Sequence, residues 1–499
     1  MMNYKSTRGG EAGVSAERAI VKGLARDGGL FVPEHMPKKL DPESLRGMSY
    51  QQMAERIAGL FFDGFEPGDV SRCVNEAYGA GFDDGRVVPV SACGGLWLTE
   101  LWHGPTSAFK DMALTVLPRL LTLSRQRRGE DGVTAILTAT SGDTGKAALA
   151  GFADVPGTDI TVFFPLEGVS RVQKLQMLTA PGENVEVVAV EGNFDDCQRM
   201  VKQAASAPEV LSACRGVSIS SANSINIGRL VPQVVYYYST YVRLREAGAL
   251  RPGEKMNFAV PTGNFGDILA GYLARELGLP VGKLICASNS NNVLTDFIRT
   301  GVYDRNRPFY KTMSPSMDIL VSSNLERLLY LLGRDEDAVA RLMGDLAASG
   351  RYEIPASWLV RIQALFYAAW ADEAACRAEI RRAFEDEGVL VDPHTAVGLC
   401  AARQYLQKTG DTAPMAVLST ASPFKFPKAV LSCLEKDVPE DEFKCMDALT
   451  RLTGRPAPAQ LRGLERMTSR FDRRVTPAEG IGFIAEKMAR LSGKRGIAK

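Results

Sequence analysis

A chain of 499 residues, 45% hydrophobic and 23% charged, is long enough for several domains and ordinary in composition for a globular protein. Lys and Arg (59) nearly balance Asp and Glu (58), so a net charge of +1 argues against a general role on nucleic acid or at a membrane surface. The nine cysteines fall singly with no C-x-x-C pair, and there are only three histidines, so a disulfide framework, a structural zinc site and a His-rich metal centre are all disfavoured, and no metal is expected. MMNYKSTRGGEAG has no apolar core of a signal peptide, and no apolar run reaches the ~18 residues of a membrane span. A soluble, cytoplasmic protein in a reducing compartment is expected.

Residues 1–90 read as a mixed, mostly helical N-terminal domain. In GLARDGGLFVPEHMP (23–37) the Asp-Gly-Gly and two prolines mark a turn and an extended crossing, and a helix is predicted over about 49–62. Over 91–309 short apolar runs alternate with helical stretches. VTAILT (133–138), DITVFF (159–164), NVEVVAV (184–190), GVSIS (216–220) and MNFAV (256–260) precede helices predicted to begin near Gly145, Ser170, Asp195, Asn226 and Phe265. KLICAS (283–288) and MAVLST (415–420) repeat the theme. Short apolar runs with little alternation fit strands covered on both faces. The alternation predicts an α/β core of parallel sheets flanked by helices, whose ligands lie on the strand-to-helix loops. Residues 310–390 break the rhythm. NLERLLYLLGRDEDAVARLMGDLAASG and WLVRIQALFYAAWADEAACRAEIRRAFEDEG are helical in period and predict a helical insertion. Residues 391–435 return to the core, and 436–499 form a tail with two short helical stretches.

Four loops carry candidate chemistry. TATSGDTGKAA (138–148) superficially resembles a nucleotide-phosphate loop. The pattern G-x-x-x-x-G-K-[ST] fails, because Thr140 stands at the first glycine and Ala147 at the hydroxyl that binds magnesium. Lys146 is then expected in solvent. A helix N-terminus remains, with free amides and the hydroxyls of Thr140, Ser141 and Thr144, and it suits a small carboxylate. An ordinary cap by Ser141 or Asp143 is the competing reading. In PTGNFGD (261–267) Gly263 and Gly266 permit close approach of a phosphate to backbone amides. In LWHGPTSAFKDMAL (101–114) Lys110, beside Phe109 at a helix start, sits where a lysine becomes a nucleophilic amine, although a lone Lys-Asp pair is ordinarily a solvated one. In STASPFKFP (419–427) the hydroxyl of Ser419 or Thr420 can face a ligand ring at the carboxyl edge of the sheet.

Together and in this order, HGPTSAFKD, TATSGDTG, SANSINIGR, PTGNFGDILAGY, DPHTAVG and STASPFKFP resemble the motifs of threonine synthases, pyridoxal-phosphate enzymes of fold type II. NYKSTRGG and GLARDGGLFVPE resemble the N-terminal domain of the family's long form. The resemblance covers about residues 3 to 430. It implies pyridoxal 5'-phosphate as cofactor, bound to Lys110 as a Schiff base. Gly263, Asn264, Phe265, Gly266 and Asp267 would cradle its phosphate, Thr420 would meet its ring nitrogen, and Asp143 would lie near its phenolic oxygen. The implied reaction turns O-phospho-L-homoserine and water into L-threonine and phosphate, with the freed Lys110 as general base at Cα and Cβ. Thr140, Ser141, Gly142 and Thr144 would hold the substrate carboxylate. Asn223, Ser224, Asn226 and Arg229 would hold its phosphate; for Asn223 and Asn226 a helix cap, and for Arg229 a surface ion pair, are the competing readings. The family often has His where Ser422 stands, so Ser422 receives no role. A related phospho-lyase using the same lysine and loops would instead yield 2-oxobutanoate, ammonia and phosphate. No nucleic-acid or membrane partner is implied, and the chain is expected as a monomer or homodimer.

Overall fold

The computed structural model describes residues 1–140, 142–166, 169–204 and 206–493. Its framework is two sheets built from the apolar runs. The larger has six strands in the order Phe366–Trp370, Val281–Ser288, Met256–Pro261, Met415–Ser419, Leu96–Glu100 and Val90–Cys93. All neighbours are parallel except the last pair, which is an antiparallel hairpin. The smaller has five parallel strands in the order Arg474–Val475, Val185–Val190, Thr158–Pro165, Val133–Ala139 and Val217–Ser220. Met256–Pro261 is buried at every position, as a strand covered on both faces must be.

The predicted helices follow their strands, as Asp143–Phe152, Arg171–Leu178, Phe194–Ala204, Ile227–Glu246 and Gly266–Glu276. The Ile227–Glu246 helix is buried on nearly all sides and packs against both the Gly266–Glu276 helix and the N-terminal Tyr50–Phe61 helix. The latter is fixed by a Ser49/Gln52 capping box and buries Tyr50, Met53, Ala54, Ile57, Ala58 and Phe61, one stripe at 3.6-residue spacing. The N-terminal segment also forms a three-stranded antiparallel sheet from Asn3–Ser6, Val14–Ser15 and Phe31–Pro33.

The uninterrupted helical reading of 310–390 is corrected. Phe366–Trp370, inside the stretch read as helix, is a strand that pairs in parallel with Val281–Ser288 and forms an edge of the large sheet. FYAAW satisfies helical spacing only by chance; a register of backbone pairs offered by the neighbouring strand decides its conformation. Arg351–Glu353 likewise pairs with Val302–Asp304. The tail is more than two short helices. Arg474–Val475 extends the small sheet, and Pro477–Gly493 packs on it through Lys487, whose ammonium lies 2.7 Å from Asp159 and 2.8 Å from Glu186. No described helix is long and apolar enough to cross a membrane.

Candidate active site

Lys110 begins the short helix Asp111–Leu114, and the turn before it contains Ser107 with a positive φ of 59°. That turn is bolted to the end of the Met415–Ser419 strand: Phe109 N donates to Thr420 O (2.8 Å) and Ser422 N to Ser107 O (3.1 Å). Asp111 folds back to accept from the amide and hydroxyl of Thr106 (2.8 and 2.6 Å). The Lys110 amine lies over the Phe109 ring and donates to Ser316 Oγ (3.2 Å). Desolvation pushes it down to about 8, reinforced by the positive charges of Lys425 and Arg229 and opposed by Asp143. An amine in that range is a usable base and nucleophile near neutral pH.

Asp143, in the first turn of its helix, is buried. Its Oδ1 meets Lys425 Nζ (3.0 Å) and Gln173 Nε2 (2.9 Å), and its Oδ2 accepts from Ser316 Oγ (3.2 Å). Burial works against its charge, yet the ammonium groups of Lys425 and Lys110 hold the carboxyl well below its usual range. Lys425 is fully buried and also donates to Thr106 O (2.8 Å). Ser141, expected among the carboxylate donors, lies outside the described residues. Thr140 Oγ1 accepts from Gly142 N (3.1 Å) and Gly145 N (2.9 Å), so it caps the helix through its lone pairs and keeps its own proton to donate. Lys146 is half-buried, not solvated as expected. Desolvation and the neighbouring Lys425 push it down to about 8, against the pull of Asp111.

The second loop is differently built. Phe265 holds a left-handed conformation (φ 61°) and turns its ring into the core against Phe366 (5.8 Å). The Gly266–Glu276 helix therefore opens with no side-chain cap. A Cβ on Gly263 would stand 2.7 Å from Ser316 O, so only glycine fits there. The carbonyl of Asn264 is held by Asn324 N (3.1 Å) and Nδ2 (3.0 Å). Asp267 accepts on Oδ1 from Tyr236 (2.5 Å) and Tyr237 (3.2 Å), while its buried Oδ2 has no partner among the described residues. Desolvation pushes it up to about 7, partly offset by the two phenols and Lys110.

Arg229, also buried, donates to Ala222 O (2.8 Å) but leaves Nε without a partner among the described residues, and desolvation brings it down to about 10. A buried, under-satisfied guanidinium invites an anion. Asn223 is exposed and Ser224 partly so. Asn226 caps the Ile227–Glu246 helix through Oδ1 to Gly228 N (2.9 Å) and donates to Ile20 O (2.9 Å). Its amide oxygen and one of its two N–H donors are thus committed to the fold, the cap that the sequence allows as the competing reading. At the sheet edge Ser419 Oγ is engaged by Trp102 Nε1 (3.1 Å) and Thr395 Oγ1 (3.2 Å). Thr420's hydroxyl makes no hydrogen bond among the described residues, which leaves it as the one of the pair able to face a ligand. Ser422 Oγ is buried without a partner among them.

Four neighbours of this site escaped the sequence reading. Lys425 and His394 lie inside STASPFKFP and DPHTAVG, where the signal was present and no role was given. Gln173 and Ser316 carry no local signal; they arrive from a helix and a loop far along the chain.

The described donor set suits pyridoxal phosphate: a half-buried, desolvated low-pKa amine, a helix opening without a side-chain cap whose loop glycine admits no Cβ, and a free hydroxyl at the sheet edge. The chain matches family models described as threonine synthase N terminus (residues 3–78), pyridoxal-phosphate-dependent enzyme (88–421) and threonine synthase, C-terminal (395–478). It is 43% identical to a threonine synthase of Pseudomonas aeruginosa, over 86% of this chain and 90% of that one. It is 39% identical to human threonine synthase-like 1 over 84% of this chain, spanning 58% of that protein. The crystal structure of a threonine synthase with bound pyridoxal phosphate, from Brucella melitensis, superposes with a TM-score of 0.88 at 38% identity, covering 99% of this chain and 100% of that one. The yeast threonine synthase structure gives 0.88 at 31% identity, covering 99% of each chain.

Proposed function

This chain belongs to the threonine synthase family of pyridoxal-phosphate-dependent enzymes, and on that premise we propose that it converts O-phospho-L-homoserine and water to L-threonine and phosphate, with Lys110 as the amine that carries the cofactor. The supporting observation is the setting of Lys110, an amine held near 8 between the uncapped Gly263–Asp267 loop and the under-satisfied Arg229.

Bound to Lys110, pyridoxal phosphate supplies an electron sink for charge developing at the substrate Cα. The amides of Gly263 to Asp267 would hold its phosphate, because an uncapped helix N-terminus favours a dianion. The Thr420 hydroxyl would face the ring nitrogen. A neutral hydroxyl, unlike a carboxylate, does not keep that nitrogen protonated, which restrains the sink and so influences where the next proton leaves.

The remaining steps belong to the side chains. Lys110, once released, removes the proton at Cα and later serves at Cβ; a pKa near the working pH lets it both take and return protons. Arg229, with the more exposed Ser224 and Asn223 just before it in the chain, would hold the substrate phosphate through charge-assisted hydrogen bonds. The Asp143 and Thr144 amides and the Thr144 hydroxyl would take the α-carboxylate. Asp143 stays ionised through Lys425, and its charge balances the cations crowding Lys110.

The test is direct. Purified protein should show the visible absorption of lysine-bound pyridoxal phosphate and release threonine and phosphate from O-phosphohomoserine. Lys110→Ala should lose the band, and turnover should fall by at least about a thousandfold. A colourless wild type, an active Lys110→Ala enzyme, or 2-oxobutanoate as the product would each overturn the reading.

A further inference from the structure

We propose that Ser316 is a positioning residue for Lys110: its hydroxyl holds the Lys110 amine, whenever that amine is free, at the point from which it exchanges protons with the substrate. The inference rests on the assignment of Lys110 above and gives a task to a segment that the sequence placed in a helical insertion.

A serine hydroxyl has one proton to give. Ser316 Oγ gives it to Asp143 Oδ2 (3.2 Å), so its lone pairs are left for the Lys110 amine, which donates to it at 3.2 Å. Asp143 cannot swing away to spoil this, because Lys425 and Gln173 hold its other oxygen. With one N–H directed at Ser316, a neutral Lys110 amine has its lone pair turned elsewhere, ready for a proton.

The backbone of Ser316 is fixed as firmly as its hydroxyl. Its amide donates to His394 Nε2 (3.1 Å), so His394 carries its proton on Nδ1, against Asp392 Oδ2 (2.6 Å). Asp392 in turn caps the Pro393–Thr409 helix by accepting from the amides of His394 and Thr395. On the far side, Asp318 accepts from Asn289 (2.7 Å), Asn291 (3.0 Å) and the Thr312 hydroxyl (2.7 Å) and amide (2.9 Å). The segment from Thr312 to Asp318 is thereby stapled to the end of the Val281–Ser288 strand. It lies on Lys110 and, through Ser316 O, on Gly263. Ordering a long lysine side chain costs it rotamer freedom. A preset acceptor settles that cost before the substrate arrives.

Ser316→Ala and Ser316→Thr test this. Ser316 is only half-buried, so its truncation should leave the thermal midpoint close to wild type. The first readout is the pH dependence of the rate at which cofactor-free enzyme takes up pyridoxal phosphate, which follows the neutral fraction of Lys110. Losing an acceptor disfavours the charged amine, so the midpoint of Ser316→Ala should move down by about half a pH unit or more. The second is turnover: kcat should fall about 10- to 100-fold with KM within about threefold. Ser316→Thr keeps the hydroxyl and should bring turnover to within about threefold, and the midpoint to within about 0.2 pH unit, of wild type. A Ser316→Ala enzyme with wild-type kcat, a fall in kcat with an unmoved midpoint, or a Ser316→Thr enzyme that restores neither would overturn the assignment of Ser316 alone. A wild type that neither binds the cofactor nor turns over substrate would instead overturn the function on which it rests.

Discussion

Two glycine-bearing loops of this chain each leave a strand of a sheet and open a helix, yet the fold surrounds them differently. At Asp143–Phe152 the helix opening is already partly occupied by the protein: Thr140 caps two amides, and the negative charge nearest the first turn is Asp143 itself, clamped by buried Lys425. At Gly266–Glu276 no described side chain caps the opening, and the loop is pressed so closely under Ser316 that Gly263 can carry no side chain. The comparison teaches that a helix N-terminus is only a potential anion site. Whether it receives a ligand depends on what the rest of the chain places there first.

The strongest way to break the contrast is Lys425→Met. It leaves Asp143 as a buried carboxylate without its cation, which should cost about 3–5 kcal/mol in denaturant unfolding and depress turnover. Unchanged stability and activity would mean that Lys425 does not hold Asp143, and the two loops would be less distinct than described. Next, Gly263→Ala forces a Cβ against the Ser316 carbonyl. Pyridoxal-phosphate affinity should fall about 10- to 100-fold in a spectral titration, and an unchanged affinity would show that the phosphate does not depend on the Gly263 loop. The smallest effect sharpens the second loop alone. Asp267 is held near 7, above the ordinary carboxyl value, so its contribution favours the folded state at acid pH and is lost as pH rises through about 7. Asp267→Asn carries no charge to bury. Its thermal midpoint should decline less than wild type between about pH 5 and pH 8, and the gap between the two should be widest at the alkaline end. Parallel curves would show that Asp267 ionises freely.

Much of this site was legible one motif at a time. Lys110, the Gly263–Asp267 loop and Thr420 sit in runs whose residue types have a local reason to be there, and the strands before them are uniform apolar stretches. Asn226 was half legible: its residue type suits both an anion and a cap, and the amide of Gly228 and the carbonyl of Ile20 supply the cap's partners. Lys146 reads as a solvated lysine at a helix start, and its half-burial beside Lys425 depends on packing that no window of sequence contains. FYAAW fits either a helix or a strand until the Val281–Ser288 strand supplies its partner.

The sequence by itself determined the α/β alternation, the order of the loops and the family they resemble, because periodicity, turn residues and motif spacing are local properties of the chain. Tertiary structure alone decided that Ser316, Gln173, His394 and Lys425 converge around Lys110 and Asp143. Charge pairing and desolvation act through space at a few ångströms, and these residues lie scattered over more than half the chain.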